Sequence, residues 1–259
     1  WSTAPSTCST AHMGAAFSVA DILGTLYFGK VLRYHPHEPQ WPERDKVILS
    51  KGHAGVALYA TLALAGYFDL NQLKMFCQPE SKLGGHPKMN EIPGVEASTG
   101  ALGHGLSFAI GIAYANKVDD RNSHVYVILG DGECQEGSVW EGALSAPTLG
   151  LDNLTVVIDH NKLQAMDKIE RIVHMSPIAD KWRSFGWNVV EIDGHNYEEI
   201  QKALLLRCVK KPTVVIANTV KGKGVSFMEN EPIWHYRMPN KQELSVLMDE
   251  LGLTENDLR

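Results

Sequence analysis

Cysteine is scarce in this chain: Cys8, Cys77, Cys134 and Cys208 are scattered through 259 residues with no Cys-x-x-Cys pair. That argues against a disulfide framework or a zinc-thiolate site and suits reduced thiols. Basic runs are lacking too. Lys and Arg number 24 against 30 Asp and Glu, a net charge of −6, which speaks against a nucleic-acid surface and leaves any anionic ligand to be met by local charge. No apolar run approaches the ~20 residues of a membrane span, and no charged-then-apolar signal pattern opens the chain. The expectation is a soluble, cytoplasmic protein with no membrane partner. No Gly-x-Gly-x-x-Gly follows a first strand, so the dinucleotide fingerprint is missing as well. Trp1 is not a natural start, which implies a few residues ahead of it.

What is present suits one large α/β domain over 1–259, with 44% hydrophobic residues to build its core. Short apolar runs at 46–49, 125–129, 154–159, 187–192 and 213–217 read as strands. Helical patterns lie between them at 54–65, 105–117, 137–146, 177–185 and 196–209. This alternation predicts a mostly parallel central sheet with helices on both faces. Ser18, with Asp21 three residues on, reads as the cap of a helix whose apolar face carries Val19, Ile22, Leu23, Leu26 and Tyr27. Segments 34–45, with Pro36, Pro39 and Pro42, and 221–240 read as loop-rich. The tail 241–259 reads as a helix with Leu244, Leu247, Met248 and Leu251 on one side.

The chemistry concentrates where two strands end. Val125 to Leu129 runs into Gly130-Asp131-Gly132-Glu133-Cys134-Gln135-Glu136-Gly137, and Leu154 to Ile158 runs into Asp159-His160-Asn161. The glycines would allow a tight turn and close approach to a ligand, while Asp131 offers a carboxylate and Asn161 a neutral amide oxygen. The spacing fits one strand-helix-strand unit, placing both ends on the carboxyl edge of a parallel sheet, where α/β folds bind ligands. A magnesium ion shared with a diphosphate wants this donor set. Of 11 histidines, four stand among loop formers: His12, His53 in Ser-Lys-Gly-His, His86 in Gly-Gly-His-Pro, and His235 after Trp234.

Gly-Asp-Gly followed about 30 residues on by His160-Asn161 resembles the thiamin-diphosphate signature, with His160 where the first Asn often stands. The stretch Pro36 to His53, and then Gly84 to Pro87, Ser98 to Gly105 and Gly130 to Gly137, resembles the transketolase family in order and spacing. The part resembled is the N-terminal, diphosphate-binding portion, so the resemblance implies the thiamin-diphosphate-binding fold and the first subunit of a split transketolase. It implies that Asp131, Asn161 and the Leu163 carbonyl hold Mg2+ (or Ca2+ or Mn2+). It further implies that Gly132, His53 and His235 contact the diphosphate, and that Gly100 and Leu102 line the ring region. His12, His86 and His235 would surround the reacting carbon, and Glu136 and Glu141 would join a carboxylate network between active sites. Ala101 and Tyr236 depart from the family's usual Pro and Gly.

Several near-neutral imidazoles around one carbon make chemical sense, because they can both donate to a forming alkoxide and take up a hydroxyl proton. The ring-protonating glutamate of the family lies on a pyrimidine-binding domain that nothing here resembles. A second subunit carrying that domain and a C-terminal domain is therefore expected, in a two-plus-two heterotetramer acting on sugars or sugar phosphates. A thiamin-dependent 2-oxo acid dehydrogenase or decarboxylating synthase subunit, and a non-catalytic binding subunit, are the competing readings.

Overall fold

A computed structural model describes residues 11–254; Cys8 and the last five residues of the expected C-terminal helix lie outside them. The five apolar runs form β1 (Lys46–Leu49), β2 (Val125–Gly130), β3 (Leu154–His160), β4 (Asn188–Asp193) and β5 (Thr213–Asn218). They make one sheet of order β1-β2-β3-β5-β4 in which every pairing is parallel. Strand β2 is buried along its whole length, the signature of a sheet covered on both faces.

Period-two alternation splits the core. Tyr126, Ile128, Val157, Val215 and Ala217 face one cluster, built with α1 (Met13–Phe28), α2 (Gly55–Leu64) and α7 (Tyr197–Leu204). Val127, Leu129, Val156, Ile158, Val214 and Ile216 face the other, built with α3 (Gly105–Val118), α4 (Gly137–Thr148) and α6 (Ile178–Ser184). Small residues let the helices close in: a side chain at Gly142 of α4 would come within 3.0 Å of Leu106 on α3. A single turn, α5 (Ile169–Ile172), follows β3, and α8 (Lys241–Glu250) carries an Asn240/Glu243 capping box.

Two local expectations are corrected. Ser18 does not cap α1, which starts five residues earlier at Met13; Ser18 is fully buried inside it and donates to Asp159 Oδ2 at 2.6 Å. The turn at Gly130 and Gly132 is made without a left-handed backbone. Gly132 is needed for close packing, since a Cβ there would sit 2.9 Å from the Gln164 side chain. The helix expected over 196–209 ends at Leu204, where the Arg207 guanidinium donates to the Leu204 and Leu206 carbonyls.

Candidate functional site

Strand register sets the site. Gly130 pairs with Asp159, and Asp159 with Ala217, so β2, β3 and β5 end together at one edge. Beyond that edge Asp131 is held with Oδ1 accepting from Gly132 N–H (2.8 Å) and Oδ2 from Lys162 N–H (2.6 Å), and His160 Nδ1 stands 3.2 Å from Oδ2. The Asn161 amide nitrogen donates to Asp159 (3.3 Å), which directs Oδ1 the other way, toward Leu163 N–H. One carboxylate, one amide oxygen and one backbone carbonyl are thus gathered. Among the described residues no group of three His, Cys, Asp or Glu side chains could hold a metal by itself, so an ion here needs these neutral oxygens and its ligand's own.

Two lysines lie behind this lip, both about 1% exposed. Lys51 is paired with Asp159, which also accepts from the Ser18 and Thr219 hydroxyls. Burial opposes ionisation of Asp159, but Lys51 and the hydroxyls outweigh it and hold the carboxyl below its ordinary value. Lys221 has, among the described residues, only neutral acceptors: Gln164 O at 3.1 Å, Leu163 O at 3.5 Å and His235 Nδ1 at 2.9 Å. Burial and then Lys51 push it down to about 8. A buried ammonium without a carboxylate is costly, and an incoming anion would relieve that cost. The amino end of α1, with no acidic residue in its first turn, adds positive potential at the same place.

Four histidines close the cleft. The His12 ring lies 5.1 Å from that of His53, 6.2 Å from His86 and 5.0 Å from His235. His12 caps α1; the His235 loop is tied to it by Arg237 N–H donating to Ala11 O. His86 lies against Gly100, whose φ of +140° and whose missing Cβ, which would be 2.9 Å from the imidazole, both require glycine. Burial, then neighbouring imidazole and ammonium groups, lowers His12 to about 4 and His235 to about 3, and holds His53 well below its usual value. At neutral pH these three rings are uncharged, able to donate at one nitrogen and accept at the other.

Eleven of the residues singled out from the sequence, His12, His53, His86, Gly100, Leu102, Asp131, Gly132, Glu136, Asn161, Leu163 and His235, line one cavity of about 320 Å3. It shares its four histidines with an adjoining cavity of about 520 Å3 walled by Val56, Phe76, Gly85 and Tyr236. Glu141 is exposed and lines neither. Lys51, Lys221, Asp159 and Glu133 were missed: charged residues in a sequence read as surface, and the one available signal was their place at or within three residues of a strand end. A diphosphate-bearing cofactor fits these residues. Besides the unneutralised ammonium and the oxygen set, Gln135 Nε2 and Gln164 Nε2 are buried without a partner among the described residues, and both side chains line this cavity.

A thiamin-diphosphate-dependent ketol transferase subunit is the class that this edge and known proteins together define. Residues 4–258 match the family described as "Transketolase, thiamine diphosphate binding domain". The chain is 44% identical over 241 residues to an apulose-4-phosphate transketolase subunit from Actinobacillus succinogenes, covering 93% of this chain and 87% of that one. It is 43% identical over 226 residues to the 6-deoxy-6-sulfo-D-fructose transketolase subunit SqwG of a Clostridium species, covering 86% and 82%. The transketolase structure from Campylobacter jejuni superposes with a TM-score of 0.88 at 31% identity, covering 96% of this chain but 40% of that one. This chain belongs to the transketolase family, and spans about two fifths of the length of such single-chain members.

Proposed function

We propose that this chain is the diphosphate-binding subunit of a two-chain, cytoplasmic transketolase that moves a two-carbon ketol unit from a ketose or ketose phosphate to an aldose or aldose phosphate. The observation that carries the cofactor reading is Lys221, a buried ammonium with only neutral acceptors among the described residues, beside Asp131, Asn161 and Leu163. These three would supply oxygens to Mg2+, or Ca2+ or Mn2+ in its place, with Gly132 N–H, His53, His235 and Lys221 toward the diphosphate and Gly100, Leu102 and Glu136 toward the rings. When bound, the thiazolium of thiamin diphosphate supplies the carbanion stabilisation that ketol transfer requires.

The chain's own groups do the rest. His86 and His12 would donate to the donor's carbonyl oxygen as it gains charge and take the proton of the hydroxyl beside the breaking bond. His235 holds its Nδ1 against Lys221, which leaves Nε2 for a ligand. The two named relatives are themselves subunits, which supports a separate partner carrying the pyrimidine-binding and C-terminal domains, assembled with this chain as a two-plus-two heterotetramer.

Native mass spectrometry of the complex with thiamin diphosphate and Mg2+ tests both halves of this reading, through the partner's mass and the number of cofactors retained. Purified alone, this chain should show no ketol transfer. Turnover of a ketose donor and an aldose acceptor by this polypeptide without a second one would overturn the split assignment.

A further inference from the structure

Glu133 is a carboxylate that neither metal holding nor sugar chemistry uses. It is 2% exposed, and its oxygens are fully engaged. Oε1 accepts from the Ser50 hydroxyl and from Gly103 N–H at 2.8 Å, and Oε2 accepts from Gly130 N–H at 3.0 Å. The three donors belong to three separate segments. Ser50 follows β1 and opens the Lys51-Gly52-His53 loop; Gly103 closes the loop that carries Gly100 and Leu102; Gly130 ends β2 immediately before Asp131.

These segments meet through glycines, so side-chain interlocking does little to fix them. A Cβ at Gly52 would lie 2.7 Å from Gly100 N and Thr99 C. Glycine contacts allow close approach but leave backbone freedom. A shared hydrogen-bond acceptor removes it. Burying a carboxylate is expensive unless such donors converge on it, and here they converge from the ring end and the metal end of the cleft at once.

We infer that Glu133 is a positioning residue that locks the Gly100–Leu102 loop and the His53 loop to the Asp131 turn, so that both ends of the bound cofactor meet one preassembled surface. The inference rests on the reading of this cleft as a thiamin-diphosphate site. In Glu133→Gln, the carbonyl oxygen can keep Ser50 and Gly103, which sets the new amide group against Gly130 N–H, donor facing donor. The link between the two ends is cut while the side chain keeps its volume.

The test is calorimetric, on the assembled complex at saturating Mg2+, with two probes: thiamin diphosphate, which spans the cleft, and inorganic pyrophosphate, which reaches the metal end alone. Glu133→Gln should weaken thiamin diphosphate by roughly 10- to 100-fold, the scale for a lost hydrogen bond to a charged group, and pyrophosphate by less than about threefold. Ser50→Ala should weaken thiamin diphosphate by roughly threefold to tenfold. The double variant should lose less than the product of the two, since both act through one carboxylate. Equal loss of both probes, or a lowered melting temperature with both affinities intact, would reduce Glu133 to a fold-stabilising group and overturn the inference. Wild-type complex that binds neither probe would instead overturn the cofactor reading beneath it.

Discussion

The two edges of the sheet make an instructive pair. The amino edge holds the larger cavity, about 640 Å3, lined by Arg33, Asp45, Lys117, Arg121, His124, Asp152 and Arg207 among others; the cavity at the Asp131 turn measures about 320 Å3. Yet at the amino edge the charges cancel. Arg33 pairs with Asp45 (3.2 Å), Lys117 with Asp152 (2.6 Å) and Arg121 with Asp119 (2.7 Å), mostly half in solvent, and Arg207 is satisfied by two carbonyls and the Tyr126 hydroxyl. At the carboxyl edge Lys221 is buried with no such compensation among the described residues. Volume does not mark the functional end; unneutralised buried charge does.

Substitutions at the two edges should therefore diverge most in cofactor binding. Lys221→Met and Asp131→Ala should each weaken Mg2+-dependent thiamin diphosphate binding by roughly 100-fold or more, as expected when one member of a desolvated charged contact is removed. Arg33→Met and Arg207→Met should change it by less than about twofold. Calorimetric titration of the complex decides the matter, and comparable losses at both edges would erase the contrast.

A smaller split is expected within the carboxyl edge. His86→Ala should lower transfer efficiency by roughly ten- to a thousand-fold with cofactor affinity within a few-fold, because one positioned donor or proton acceptor is lost. Normal kinetics with a lowered melting temperature would leave His86 a loop-supporting residue.

Acidification sharpens the comparison further. His12 and His235, lowered from 6.5 to about 4 and about 3, bind fewer protons folded than unfolded between those values and 6.5. Stability should thus be full above pH 6.5 and fall as the pH drops below it. Between pH 7 and 5 the loss, after allowance for their partial exposure, is about 1 kcal/mol per imidazole, or roughly 4–8 °C in melting temperature for the pair. Differential scanning calorimetry of His12→Asn and His235→Asn should show a flatter profile over this range; an unchanged slope would mean that these rings are not the groups responsible.

The least effect belongs to the amino edge itself, where Arg33→Met should cost under about 1 kcal/mol, since the guanidinium is half in solvent and the buried Asp45 keeps the Arg33 and His124 N–H donors. A larger loss of unfolding free energy in chemical denaturation would show that the guanidinium does more for the buried Asp45 than a half-exposed partner should.

Much of this was legible beforehand. The strands announced themselves as apolar runs, and the oxygen-bearing residues at their ends followed from the spacing between Gly130 and Asn161. The start of α1 was not legible, because His12 and Met13 carry no capping side chain while Ser18 imitates one. What Ser18 does instead depends on Asp159, 141 residues away, and no local pattern reports such a partner. Lys51 and Lys221 were hidden for the same reason: burial of an ammonium is decided by acceptors from α1, β3 and the loop beyond it.

Helix α1 ties these acceptors together. His12 stands at its head; Gly14 O accepts from Gly222 N–H, and a Cβ at Gly14 would press on Lys221 at 3.1 Å; Ser18 meets Asp159; and Asp21 holds His195, whose Nε2 accepts from Val220 N–H. Within about 14 Å of helix axis, one segment touches the histidine cluster, the buried Lys221 and, through Ser18, the end of β3. A change at any of these four positions alters the surroundings of the others, so on the proposed reading new sugar preferences should arise more readily at Phe76, in the adjoining cavity, than along this helix or at Tyr236, whose ring lies 4.7 Å from that of His12.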